Sequence, residues 1–139
     1  MNIMKKNINL NERIFIAGAS GMVGSSIKRK LILEGYGDIT KGGAIFSPSR
    51  KELNLLNIED VKEWFEYQRP TIVIIAAAKV GGILANKNLP FDFILKNLKI
   101  QNNLIEVAWK NNIKRLLFLG SSCIYPKFSK QPISEDYLL

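Results

Sequence analysis

Residues 13–24 read Arg13-Ile14-Phe15-Ile16-Ala17-Gly18-Ala19-Ser20-Gly21-Met22-Val23-Gly24, and this stretch decides the fold. Its first five residues are rich in β-branched and aromatic side chains, the mark of a buried strand. Three glycines follow with Gly-x-x-Gly-x-x-Gly spacing, and a helical pattern opens at once in Ser26-Ile27-Lys28-Arg29-Lys30-Leu31-Ile32-Leu33. Each glycine has a physical task in a strand–turn–helix that holds a dinucleotide. Gly18 permits the tight turn out of the strand, Gly21 lets backbone N–H groups approach a pyrophosphate, and Gly24 lets the helix pack closely on the strand. The helix N-terminus offers its dipole to the anion. A glycine-rich turn without a ligand is the competing reading, and the order strand, turn, helix weighs against it.

Working outward, residues 1–11 are polar and Asn-rich and read as a loose extension. The first helix runs to about Glu34 and stops at Gly35-Tyr36-Gly37, glycine being the usual stop residue. Asp38 to Gly43 reads as a surface loop, and Ala44-Ile45-Phe46-Ser47 as a short second strand closed by Pro48. Asn57 is the expected N-cap of a second helix, with Glu59 and Asp60 in its first turn and Val61, Trp64 and Phe65 facing inward. Thr71-Ile72-Val73-Ile74-Ile75-Ala76-Ala77 is apolar on both faces, as a central parallel strand must be. A long helix is expected from Pro90, a favoured first-turn residue, with Phe91, Ile94, Leu98, Ile105 and Ala108 as its buried stripe. Leu116-Leu117-Phe118-Leu119 makes a fourth strand, and both Trp64 and Trp109 are expected to pack between helix and sheet.

The alternation β-α-β-α-β-α-β implies an α/β fold, a Rossmann-like, doubly wound parallel sheet with right-handed crossovers. One domain accounts for residues 1–139. Hydrophobic residues at 47% with 23% charged residues are those of a soluble globular protein, and no run is long and apolar enough to span a membrane. The single cysteine, Cys123, rules out an intramolecular disulfide and fits a reducing cytoplasm. The absence of histidine removes His-centred triads and most zinc sites. The net charge of +8 is spread along helical faces rather than clustered, so nucleic-acid binding is the minor reading and no membrane partner is expected.

Ligands of doubly wound sheets bind beyond the carboxyl ends of the strands. Beyond the second strand stands Ser47-Pro48-Ser49-Arg50, with no acid before Glu52 to take a ribose diol. Arg50 would favour a 2′-phosphate, hence NADP over NAD, unless it is a plain surface residue. Beyond the third strand, Ala76-Ala77-Ala78-Lys79-Val80-Gly81-Gly82-Ile83 is too apolar for an ordinary exposed loop and points to ligand contact. Beyond the fourth come Ser121, Ser122 and Cys123, with Lys79 and Lys127 as neighbours to consider. A serine hydroxyl there can donate to a substrate carbonyl as charge develops on it. In an electropositive cleft Cys123 would be a thiol acidic enough for base or nucleophile chemistry, but from the residues alone the favoured reading is a small buried hydrophobe at a strand end.

The set Gly18-x-x-Gly21-Met22-Val23-Gly24-Ser25, Glu52-Leu53-Asn54-Leu55-Leu56, Ala76 to Ile83, Phe118-Leu119-Gly120-Ser121-Ser122-Cys123-Ile124-Tyr125-Pro126-Lys127 and Gln131-Pro132-Ile133 stands in order. It resembles the GDP-L-fucose synthase family of extended short-chain dehydrogenases, from Arg13 to the last residue. The resemblance implies the N-terminal part of an NAD(P)-binding Rossmann domain, four strands of an incomplete sheet, with the substrate domain absent. It implies NADP(H) held by Gly18, Ala19, Ser20, Gly21, Met22, Val23 and Gly24, with Arg50, Lys51, Glu52, Leu53, Asn54 and Leu55 around the adenosine end. Leu119, Gly120, Ser121 and Ser122 would border the nicotinamide. It further implies that Ser121 binds the keto oxygen of GDP-4-keto-6-deoxy-D-mannose and that Cys123 is the base in epimerisation. Full-length members are expected as cytoplasmic homodimers.

This sequence departs from the family pattern in three ways. None of Tyr36, Tyr67, Tyr125 or Tyr137 has lysine four residues later, so the Tyr-x-x-x-Lys pair that protonates the reduced oxygen is missing. The epimerisation histidine is missing too. Ser20 stands where some relatives carry a basic residue near the 2′-phosphate, so the NADP preference rests mainly on Arg50. The expected consequence is a chain that is inactive alone, with an apolar sheet edge left where a fifth strand should pair and marginal solubility as a result. Another nucleotide-sugar epimerase or dehydratase, and a non-catalytic dinucleotide-binding module, are the alternatives.

Overall fold

The computed structural model describes residues 8–138, so residues 1–7 of the expected extension lie outside the described residues. The elements are β1 (Arg13–Ala17), α1 (Met22–Leu33), β2 (Ala44–Phe46), α2 (Ile58–Gln68), β3 (Ile72–Ile75), α3 (Ile83–Asn88), α4 (Pro90–Lys110) and β4 (Arg115–Phe118). All strand pairs are parallel, in the order β2-β1-β3-β4. This is the expected α/β, Rossmann-like sheet. Its register sets Ala17 beside Ile75 and Ile75 beside Phe118, so the three longer strands end level at one edge.

Two apolar layers sandwich β1 and β3. On one side Phe15, Ala17, Val73 and Ile75 pack with Val61 and Phe65 of α2 and Leu104, Val107 and Ala108 of α4. On the other, Ile14, Ile16, Ile72 and Ile74 meet Ile27 and Leu31 of α1. Alternate residues of each strand thus serve opposite layers, which is why the runs are apolar throughout. Trp64 sits as expected, its ring 4.9 Å from Phe15 and 5.5 Å from Phe46. Asn57 caps α2 by accepting from the Glu59 N–H at 3.1 Å. Gly35 and Gly37 both take positive φ at the end of α1, which Cβ-bearing residues rarely adopt.

Several expectations need correction. Ile8 and Leu10 are not loose: both pack on the α1 side of the core, and Tyr36 Oη donates to the Ile8 carbonyl at 3.0 Å. α1 begins at Met22, inside the glycine stretch. The Asp38–Gly43 loop contains a 3₁₀ turn over Ile39–Lys41, capped when Asp38 accepts from the Thr40 N–H at 3.0 Å. α3 was not anticipated, because six residues between Gly82 and Pro90 carry too little periodicity to register. The buried face of α4 is Phe93, Leu104, Val107 and Ala108, with Ile100 half-buried. Of the expected stripe only Ala108 is buried, whereas Phe91, Ile94, Leu98 and Ile105 are exposed. The helix is apolar on two sides, and the periodicity fits either. Trp109 lies on the open side, 77% exposed, rather than against the sheet.

Candidate cofactor and active site

At the end of β1 the chain turns through Gly18, whose φ of +81° requires glycine. A Cβ there would lie 2.6 Å from the Ala76 carbonyl oxygen, so the loop runs hard against the end of β3. Gly24 is buried, and a Cβ on it would fall 2.2 Å from the Gly18 carbonyl oxygen. The first turn of α1 therefore approaches the loop as only glycine allows. Gly21, in extended backbone, forms the N-cap with no side chain capping the helix. The first-turn N–H groups, with the positive end of the helix dipole, face the space where an anion would sit. Ser20, Met22 and Val23 are exposed around this cradle, and Ala19 packs on the core. A glycine turn against a strand end with an uncapped helix N-terminus is the arrangement by which doubly wound folds hold a pyrophosphate.

Ser47 follows β2 directly, and Lys28 of α1 reaches across to donate to its Oγ at 2.7 Å. Arg50, Lys51 and Asn54 are exposed on the turn that follows. Glu52 accepts from the Ser49 N–H at 2.7 Å, a bond that lowers its carboxyl from its ordinary pKa. Leu53 is buried in the core, and Leu55 is half-buried beside it. The Leu55 carbonyl accepts from Asn103 Nδ2 of α4 at 2.9 Å.

The segment after β3 is pinned to α4. Asn97 grips the Lys79 backbone at both ends, accepting from its N–H at 2.6 Å and donating to its carbonyl at 3.0 Å. Lys79 Nζ bonds to Asp92, which also pairs with Lys96 at 3.1 Å. Lys79, then Lys96, hold the Asp92 carboxyl below its ordinary pKa by hydrogen bonding. The Lys79 ammonium also sits 4.9 Å from the Phe93 ring centre. Gly81 leaves room for that ring: a Cβ would come within 2.8 Å of it. Asn97 and Asp92 escaped the sequence reading. The Asp92–Lys96 spacing was a legible helical pair, but a helix asparagine gripping a distant backbone carries no local signal.

Beyond β4, Leu119 continues the ladder, its N–H donating to the Ile75 carbonyl at 3.3 Å, and Gly120 turns the chain with φ of +63°. Ser121 Oγ accepts from the Cys123 N–H at 3.1 Å, a bond that uses one acceptor position of the hydroxyl and does not use its proton. Cys123 is exposed, so the buried-hydrophobe reading is excluded. The Ser122 side chain lies outside what is described. Lys79 is engaged by Asp92, and Lys127 lies 5.4 Å from the Phe128 ring centre. The parallel register brings the glycine cradle, the Ala76–Gly82 segment and the Ser121 turn to one edge of the sheet.

The family model for the NAD dependent epimerase/dehydratase family matches residues 14–139. The chain belongs to that family. The GDP-L-fucose synthase of Escherichia coli (strain K12) is 50% identical over 128 residues, which cover 92% of this chain and 38% of the relative. GDP-L-fucose synthase 1 of Arabidopsis thaliana is 50% identical over 127 residues, covering 91% and 38%. Among solved structures, DdhaC superposes with a TM-score of 0.86 at 41% identity, over 95% of this chain and 36% of that one. MlghC, a GDP-mannoheptose C4 reductase from Campylobacter jejuni with NADP bound, gives 0.83 at 35% identity, over 94% and 40%. This family member is GDP-L-fucose synthase-like, and it spans about 38% of the length of the curated relatives it matches.

Proposed function

We propose that this chain carries the NADP(H)-binding part, together with the Ser121 and Cys123 groups, of an enzyme that epimerises and reduces GDP-4-keto-6-deoxy-D-mannose to GDP-L-fucose. The observation that carries this reading is the 50% identity to GDP-L-fucose synthases over nearly the whole chain. The uncapped N-terminus of α1, with Gly18 and Gly24 leaving no room for side chains, fits a dinucleotide. Gly18 to Gly24 hold its pyrophosphate, Arg50 to Leu55 flank its adenosine end and Leu119 to Ser122 flank its nicotinamide end. When bound, NADPH supplies the hydride.

In this reading the Ser121 hydroxyl donates to the sugar keto oxygen. The bond from the Cys123 N–H takes up a lone pair of Oγ and leaves the hydroxyl proton to be donated. Polarising that oxygen acidifies the C–H bonds beside the ketone, and Cys123 Sγ is the group that takes one such proton. Charge moves onto the keto oxygen, where the serine donor strengthens. The sequence holds no histidine and no Tyr-x-x-x-Lys to donate the remaining protons. The chain alone is therefore expected to bind NADPH and to turn over little.

Titration with NADPH, followed by tryptophan fluorescence, tests the cofactor half of the reading. Saturable binding is expected, and its absence overturns the proposal. Turnover of the 4-keto sugar at the rates of full-length relatives would overturn the expectation of inactivity. A GDP-heptose is the second substrate reading. It is favoured by the TM-score of 0.83 to MlghC, against 0.78 to an NADP-bound GDP-L-fucose synthetase from Naegleria fowleri.

A further inference from the structure

We propose that Lys28 and Ser47 together form the 2′-phosphate subsite of this chain and set its preference for NADPH over NADH. The inference rests on the NADP reading above and assigns a specificity role to a residue pair in which the sequence showed no signal. Ser47 stands one residue beyond Phe46, whose register partner is Phe15 of β1. It therefore lies at the carboxyl edge beside the glycine cradle, where the adenosine ribose of a dinucleotide lies in this fold. A chain that reads a free 2′-hydroxyl places a carboxylate there. Residues 47–51 contain none, and Glu52 is turned back onto the Ser49 N–H.

What the structure places there is a cation. The Lys28 ammonium, half-buried on α1, crosses to Ser47 Oγ at 2.7 Å. An ammonium has three N–H donors, of which one is spent on Ser47. The hydroxyl accepts that bond through oxygen and keeps its own proton to donate. The pair thus presents a positive charge and several convergent donors, the chemistry of a phosphate monoester site. Holding Nζ on Ser47 also pre-orders a long flexible side chain, which Arg50, exposed on the following turn, lacks. Lys28 in this geometry meets the need left by Ser20, which has no charge to offer.

The test is the ratio of NADPH to NADH dissociation constants, measured on the full chain. Lys28→Met should weaken NADPH about ten- to hundredfold, the range for losing a hydrogen bond to a charged group, and leave NADH within about twofold. Lys28→Arg should retain the preference, and Ser47→Ala should fall between. Far-UV circular dichroism on each variant separates loss of binding from loss of fold. If Lys28→Met does not fold, the Ser47→Ala and Lys28→Arg ratios decide in its place. A wild-type chain that binds NADPH well, with a ratio unchanged in Lys28→Met but collapsed in Arg50→Met, overturns this inference alone. A wild-type chain that binds neither cofactor, or both equally, overturns the NADP reading and this inference with it.

Discussion

β3 and β4 are neighbours with the same kind of sequence, and the structure treats them oppositely. Ile72, Val73, Ile74 and Ile75 are all buried, while Arg115, Leu116, Leu117 and Phe118, paired with them residue for residue, are all exposed. The difference is one of neighbours rather than chemistry. β3 lies between two strands and under helices on both faces, whereas among the described residues β4 has a strand on one side only. α4 repeats the pattern within one element, with Leu104 and Val107 buried and Ile94 and Leu98 open. An apolar side chain announces that it can be buried, and only the partner determines whether it is. The uncovered surface of β4 and α4 is the kind that promotes association.

The largest effect should come from truncating the covered strand. Ile75→Ala should cost about 2–5 kcal/mol, since the side chain is removed from a packed layer that cannot collapse around the gap. Leu117→Ala on β4, half-exposed, should cost no more than about 1 kcal/mol. Denaturant midpoints of the two variants measure the contrast, and equal losses would mean that β4 is covered in solution. Gly24→Ala comes next. Its methyl group would meet the Gly18 carbonyl at 2.2 Å, so α1 must shift, at about 1–3 kcal/mol. NADPH affinity should fall further than the stability change accounts for, because the cradle itself is displaced.

How much of this was legible follows from how local each signal was. The β1–loop–α1 unit could be read because glycine spacing records a backbone demand that no other residue meets. The Asn57 cap could be read because its partner lies two residues away. The α4 stripe was misassigned because apolar residues recur on two faces, and periodicity gives a spacing but no absolute phase. The site divided in the same way. Gly18 and Ser121 could be proposed from their positions after a strand, whereas Cys123 became a candidate only through the family resemblance, since its residue type alone reads first as a small hydrophobe. Lys28 with Ser47, and Asn97 with Lys79, are contacts between elements, and depend on how each helix is rotated against the sheet.

A smaller effect is expected where the covered and uncovered regions join, at Asp92. Lys79 and Lys96 lower its folded pKa below the unfolded carboxylate value of about 3.9. A lowered carboxylate pKa stabilises the fold above the unfolded value and ceases to do so as pH falls through the folded one. Stability should therefore be flat in this respect from pH 5 to 8 and decline below about pH 4. Asp92→Asn should remove that part of the acid limb, and thermal melts between pH 2 and 6 would show it. An acid limb of unchanged steepness in the variant would break the link between α4 and the Lys79 segment.

The smallest stability effect, and the sharpest test of the contrast, is expected on the open face of α4. Ile94 is 61% exposed, and isoleucine and serine have similar helix propensities. Ile94→Ser should therefore shift stability by no more than about 0.5 kcal/mol. It should nonetheless reduce binding of a hydrophobic dye and raise the concentration at which the chain precipitates, since it interrupts an apolar surface shared with Phe91 and Leu98. A loss well above that value would mean that something covers the face. Concentration dependence then identifies the cover: a penalty that grows with protein concentration belongs to self-association of α4, and one that does not belongs to packing within the chain.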